Sequence, residues 1–311
     1  MKKGNVRSLA RIITLVENRE PGWKDAMKSL YPLGGKAKIV GITGSPGAGK
    51  STLTNAVARD FVARGYTVGI IAVDPSSPFS GGALLGDRLR MRDVVTLPEI
   101  FIRSMATRGA LGGLCQGARD IARILDAFGK DVVIIETVGV GQDEVEVVKA
   151  ADLVMVVCVP GQGDGIQALK AGIMEIADLY VVNKADREGA DEVVADIGGM
   201  LDISDNGGRP QPPVIKTSAL ANQGITELVD ALVQGFESGR NADSWQAQRV
   251  KEEILTLVET EILDYLRENW ERTGDLDKAV EGILEKQTDP YSVVDSLLPL
   301  IREASRSKET T

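Results

Sequence analysis

The chain has no histidine, only two cysteines, and aromatic residues at just 4% of its 311 positions. Without an imidazole, histidine catalysis is excluded outright. Cys115 and Cys158 stand far apart, so neither a disulfide framework nor a CxxC metal site can be assembled within one chain. Long apolar runs are missing too. Ile12-Ile13-Thr14-Leu15-Val16 is too short for a secretory core or a membrane span, and the expected location is cytoplasmic, with no membrane partner. Positive charge is in deficit, 36 Lys and Arg against 45 Asp and Glu, for a formal net charge of -9. That balance argues against a general nucleic-acid binder, since phosphate backbones are held by clustered cations, but it leaves room for a local basic site.

What is present is the composition of an ordinary globular protein, 43% hydrophobic and 26% charged. The length suits one large α/β core with flanking elements or two modest domains. Leu9, Ile12, Ile13 and Val16 fall at helical spacing before Glu20-Pro21-Gly22 breaks the pattern. From Lys38, short β-rich runs alternate with helical stretches: Ile39 to Thr43, Thr67 to Val73, Val132 to Glu136, Leu153 to Val159, Leu179 to Asn183 and Val214 to Ser218. The alternation predicts an α/β fold with a mostly parallel sheet covered by helices on both faces. After Phe236 the strands stop. Val250, Ile254, Leu257, Val258, Ile262, Tyr265 and Leu266 recur with a roughly helical period, a second helix is expected over Leu276 to Lys286, and Asp289-Pro290 starts a third. The expected organisation is therefore an N-terminal helical extension over 1–36, a β/α domain over 37–236 and a C-terminal helical segment over 237–311. Trp23, Trp245 and Trp270 all lie outside the β/α region, where they are expected to anchor helices.

Within the β/α region, Gly44-Ser45-Pro46-Gly47-Ala48-Gly49-Lys50-Ser51 satisfies G-x-x-x-x-G-K-[ST], after one strand and before a helix expected to start near Thr52. Glycines let backbone N–H groups turn onto nucleotide phosphates, and the helix N-terminus adds a favourable dipole. Lys50 is placed to bridge the β- and γ-phosphates, and Ser51 to offer its hydroxyl to Mg²⁺. Asn183-Lys184-Ala185-Asp186 ends another strand with the N-K-x-D form. The carboxylate of Asp186 can accept from both N1–H and the exocyclic amino group of guanine, whereas adenine presents an acceptor at N1 and no amino group there. Lys184 would lie over the base, and Asn183 would tie this loop to the P-loop. Ser218-Ala219-Leu220, after the last strand, is where a backbone N–H would meet guanine O6. Together the three point to GTP and GDP.

Metal binding and hydrolysis call for carboxylates near the γ-phosphate. Glu136-Thr137-Val138-Gly139 ends the strand Val132 to Ile135, with Glu136 in the Walker B place and the Gly139 N–H placed to sense the γ-phosphate. Asp74 ends another strand and opens Pro75-Ser76-Ser77-Pro78-Phe79-Ser80-Gly81-Gly82, a stretch suited to a switch that closes near Asp87. The residue after Gly139 is Val140 rather than the glutamine that orients water in Ras-like proteins, and Gln142 is not equivalent, so slow intrinsic hydrolysis is expected.

These pieces resemble the methylmalonyl-CoA mutase-associated GTPases, the MeaB/ArgK type within the SIMIBI class of P-loop proteins. The likeness runs over nearly the whole chain. It is carried by residues 41 to 51, Val73-Asp74-Pro75-Ser76-Ser77, Gly86-Asp87-Arg88, Arg108-Gly109-Ala110-Leu111-Gly112-Gly113, residues 136 to 142 and Asn183-Lys184-Ala185-Asp186. The resemblance implies a homodimer joined through the C-terminal helices. It also implies a G-protein chaperone that gates adenosylcobalamin delivery to a mutase and protects that enzyme, with the mutase's adenosyltransferase as a further partner. It places Asp74, Asp87 and Glu136 around Mg²⁺ and the hydrolytic water, and Asp164 and Lys170 in a segment that couples nucleotide state to the client. With no histidine to ligate cobalt, any cobalamin should sit on a partner.

Three other readings compete. A metallochaperone GTPase of the hydrogenase or urease kind would need clustered Cys and His ligands, whereas Cys158 lies in an apolar strand as a structural thiol. A kinase of a periplasmic amino-acid transport protein would need a base beside an acceptor hydroxyl, and no residue pattern marks one. A scaffold that binds GTP without hydrolysing it fits poorly with Asp74, Asp87 and Glu136.

Overall fold

The computed structural model describes residues 5–74, 94, 96–106, 113–137, 150–161, 177–203, 210–238 and 243–296. The chain divides into two compact units, Met1–Gln248 and Arg249–Thr311.

The first unit is built on seven parallel strands: β1 (Lys38–Gly44), β2 (Val68–Asp74), β3 (Ile100–Ala106), β4 (Val132–Glu136), β5 (Leu153–Cys158), β6 (Leu179–Val182) and β7 (Val214–Lys216). They lie in the order β3-β2-β4-β1-β5-β6-β7. The central strands are continuous apolar runs because helices cover both faces. Val132 and Ile134 of β4 join a core with α3 (Lys50–Ala63) and α6 (Ile225–Ser238), while Val133 and Ile135 face α4 (Gly113–Ala127). On that second face, Val154, Val156, Tyr180 and Val182 pack with Ile197 and Leu201 of α5 (Ala190–Ile203).

Outside α4 lies a further layer, α1 (Val6–Glu17) and α2 (Trp23–Leu30). The Asn5 side chain accepts from the N–H groups of Arg7 and Ser8 and so caps α1. Leu9, Ile13 and Val16, one stripe at helical spacing, bury against α4, and Trp23, Met27 and Leu30 do the same from α2. The carboxylate of Asp126, on α4, accepts from the backbone N–H groups of Gly35, Lys36 and Ala37, which fixes the chain as it enters β1.

Among the described strands and α-helices, β3 and α2 were not expected from the sequence. The phosphate-loop helix also begins at Lys50, two residues before the expected Thr52, because Gly49 in the left-handed region (φ 86°) serves as its N-cap. In the second unit, α7 (Asp243–Thr273) continues past the unit boundary, followed by α8 (Asp275–Leu284) and a helix over residues 290–296. No helix among the described residues is long and apolar enough to cross a membrane.

Candidate functional site

Parallel order brings the ends of β1, β4, β5 and β6 to one edge. β1 lies between β4 and β5, with Ile42 opposite Glu136 and Gly44 opposite Val157. The chain leaves β1 at Gly44 with φ 141°, and a Cβ there would stand 2.2 Å from the Val157 carbonyl oxygen. Only glycine permits this approach. At Gly49, itself in the left-handed region, a Cβ would lie 2.6 Å from Asn183 Nδ2 and would displace that side chain.

Lys50 is buried, and its ammonium donates to the carbonyl oxygens of Gly44 (2.8 Å) and Ser45 (3.1 Å), inside the curve of the loop. Ser51 Oγ donates to Glu136 Oε1 at 2.6 Å, and Glu136 is itself buried. Thr137 locks the end of β4 to β1 through its N–H and hydroxyl, both directed to the Ile42 carbonyl. A serine hydroxyl beside a carboxylate, next to a lysine in a glycine-rich loop, is a hard oxygen set that fits Mg²⁺ in the company of nucleotide phosphates.

The second half of the site is tied directly to the first. Asn183 Nδ2 donates to the Ala48 carbonyl at 2.9 Å, and Lys184 Nζ donates to that of Gly47 at 2.7 Å. Asn183 Oδ1 in turn accepts from Thr217 Oγ1 and from the Ala219 N–H, both at 3.2 Å. One asparagine thus joins the loops after β1, β6 and β7. Lys184 sits in the left-handed region (φ 57°), which turns the chain so that Asp186 reaches the 218–223 turn. There Ser218 Oγ donates to Asp186 Oδ1 at 2.6 Å, and that hydrogen bond is the main cause holding the Asp186 carboxyl below its usual range. Ser218 and Gln223 close the turn by exchanging backbone hydrogen bonds, and Leu220 is left 90% exposed.

Of the candidates, Gly44 to Thr52, Glu136, Asn183, Lys184, Asp186 and Ser218 to Leu220 all fall along this one edge. Asp74 ends β2 at the same edge, opposite Ala106 of β3. Asp87, Gly139, Asp164 and Lys170 lie outside the described residues. Sequence reasoning missed Thr217, whose hydroxyl orients Asn183. Its signal, a threonine just ahead of Ser218-Ala219-Leu220, acquires meaning only once β7 is known to lie beside β6.

Cys158 is buried in β5, and burial pushes its thiol up to about 12. Thiolate is the reactive and metal-binding form, so this thiol is expected to be inert. Alkylation of the native protein near pH 8 with site-resolved mass spectrometry should leave Cys158 unmodified until the chain is denatured. Labelling at the rate of a free thiol would contradict the structural role.

A parallel sheet with a phosphate loop after β1 and an N-K-x-D loop after β6 defines the class, a P-loop GTPase. The particular family follows from comparison with known proteins. The family described as "Methylmalonyl Co-A mutase-associated GTPase MeaB" matches residues 9–271, and the chain belongs to it. It is 48% identical to a protein of Pyrococcus abyssi that carries the GTPase name, over 96% of this chain and 94% of that one. It is 36% identical to the GTPase ArgK of Escherichia coli, over 86% of this chain and 85% of that one. Among solved structures, a LAO/AO transport system kinase superposes with a TM-score of 0.69 at 29% identity, covering 96% of this chain and 94% of that chain. The chain is accordingly a GTP hydrolase.

Proposed function

We propose that this GTPase is a Mg²⁺-dependent switch that acts, as a homodimer, on an adenosylcobalamin-dependent acyl-CoA mutase, gating cofactor delivery and protecting the enzyme. The observation that carries the GTP part is the Asn183 junction, which binds the phosphate loop and the base loop into one cradle. In that cradle Lys50 neutralises charge on the β- and γ-phosphates, Asp186 accepts from the two donors on the guanine edge, and Ser51 and Glu136 hold the metal. Mg²⁺, when bound, supplies further charge neutralisation to the phosphate oxygens. Asp74, Asp87 and the Gly139 N–H belong to the same γ-phosphate surroundings in this reading, with Asp164 and Lys170 relaying nucleotide state to the client. The mutase is supported by the family description. The lack of histidine supports a cofactor held by the partner. Dimerisation is supported by α7, where Ile254, Leu255, Val258, Leu263 and Tyr265 are exposed along one long helix.

The test is binding of the purified chain, loaded with GDP or a non-hydrolysable GTP analogue, to a purified acyl-CoA mutase. The expected result is a complex whose affinity depends on the nucleotide, together with faster GTP turnover when the mutase is present. A nucleotide-independent result, or no complex, would refute the client. A second reading, a kinase of a transport protein, is favoured only by the name of the solved relative. Incubation with γ-labelled GTP separates the two, because a switch releases the label as free phosphate and a kinase leaves it on protein.

A further inference from the structure

Charge is unevenly distributed along this acidic chain. Residues 1–38 hold nine Lys and Arg against three Asp and Glu, a surplus of six, so the remaining 273 residues carry a net charge of -15. Within that segment Arg7 and Arg11 sit one turn apart on α1, Lys24 and Lys28 one turn apart on α2, and all four are exposed. Both helices lean on α4 through their apolar stripes, so their outward faces form one surface. Of the three acidic residues, Glu17 is turned inward to Arg103 of β3, Glu20 is exposed between the two helices and accepts from Asn18 Nδ2 at 3.4 Å, and Asp25 pairs with Lys28 at 3.7 Å with both side chains in solvent. Such a pair contributes little. Aromatic rings are set among the cations. The Arg19 guanidinium and the Lys24 ammonium lie 5.7 and 5.6 Å from the centre of the Trp23 ring, and the Arg123 guanidinium lies 4.8 Å over Tyr31, which is 58% exposed.

We infer that the outer face of the α1–α2 layer is a docking surface for an acidic segment of a partner protein. Membrane binding is disfavoured because the apolar stripes of both helices are already buried on α4; the exposed Val6, Tyr31 and Leu33 lie at the helix ends and form no continuous apolar helical face to enter a lipid interface. Duplex nucleic acid is disfavoured because a long polyanion reaching past this layer meets the acidic remainder of the chain. Arginine and aromatic side chains interleaved on one surface are the composition of a protein interface. The position also gives docking a consequence. α4, on which the layer rests, starts beside the end of β3, where a Cβ on Gly117 would stand 2.9 Å from Met105 Cε, so a partner pressing on the layer bears on a helix that begins at the nucleotide edge.

The test uses the full chain and a fluorescent oligoglutamate peptide, followed by anisotropy. Wild type should bind the peptide, with affinity falling about tenfold between low and physiological salt, as expected for exposed charges. The variant R7E/R11E/K24E/K28E should lose at least about tenfold in affinity with GTP turnover unchanged. The Arg7 and Lys24 reversals fall in the first turns of α1 and α2 and suit the helix dipole, whereas Lys28 lies in the last turn of α2, where glutamate opposes it, so the fold of this variant is verified by its circular dichroism spectrum. R7Q/R11Q/K24Q/K28Q, checked by circular dichroism, should show a smaller loss in the same direction. Equal peptide binding by wild type and both variants would overturn the assignment. So would tighter binding of wild type to duplex DNA, or to phosphatidylserine vesicles, than to the peptide at physiological salt. A mutase that bound wild type and the reversed variant equally would also overturn this surface while leaving the proposed client standing. If the peptide discriminates and the mutase does not bind at all, the surface is supported and the client is not.

Discussion

Lys50→Ala is expected to reduce kcat/KM for GTP by about 10²–10³-fold, the scale of losing one aligned charge-stabilising group in a preorganised site. The ammonium sits within a loop whose own carbonyl oxygens, from Gly44 and Ser45, face it at 2.8 and 3.1 Å. Deleting it does more than remove an attraction. It leaves two carbonyl dipoles with no cation between them and the incoming phosphate oxygens, so binding and turnover should fall together. The fold should survive, because Lys50 opens α3 and alanine is the best helix former there. A thermal midpoint near wild type, with turnover at the background rate, is the expected pair of measurements. Unchanged kinetics would remove Lys50 from the reaction and, with it, the assignment of the loop.

Most strands of this fold were legible because a parallel sheet buried on both faces demands uninterrupted apolar runs, and β4 and β5 are such runs. The edge strand β3 was not, for a physical reason. Its run Ile100-Phe101-Ile102 is broken by Arg103, whose charge is met by Glu17 and Thr14 of α1, partners far away in sequence. Without that pairing in view, an arginine argues against a buried strand. α2 could have been found, since Trp23, Met27 and Leu30 hold helical spacing, but Pro21-Gly22 directs attention to a break instead. The site shows the same division. Phosphate and guanine loops are motifs because their backbone geometry needs particular residues at fixed spacing. The contacts of Asn183 with Ala48 and Thr217 depend on which strands are neighbours, and strand order lies in the fold rather than in any short stretch of sequence.

Asp186→Asn carries the second large effect, a reversal of base preference from GTP to xanthosine triphosphate. Guanine offers two donors on the edge that Asp186 faces, and a carboxylate accepts both. Hydrogen bonds to a charged group contribute about 1.5–3 kcal/mol each, so replacing the acceptor pair by an amide should cost GTP about 10²–10⁴-fold in kcat/KM. Xanthine carries a carbonyl where guanine carries its amino group, and the new amide can donate to it. Ser218 makes the outcome sharper: its hydroxyl donates to Asp186 Oδ1 at 2.6 Å, and the same bond to the asparagine oxygen would turn the amide NH₂ toward the base. Retained GTP preference in competition assays would refute the base-reading role. The pH dependence follows from the same contact. Because Ser218 above all holds the Asp186 carboxyl below its usual range, the charged form is fully present above the free-aspartate pKa and is lost only as pH falls through the depressed value. Wild-type preference for GTP over xanthosine triphosphate should therefore stay level from neutral pH into the mildly acidic range, and Ser218→Ala should bring its decline to a higher pH. A profile unchanged by Ser218→Ala would separate the hydroxyl from the carboxylate to which it donates.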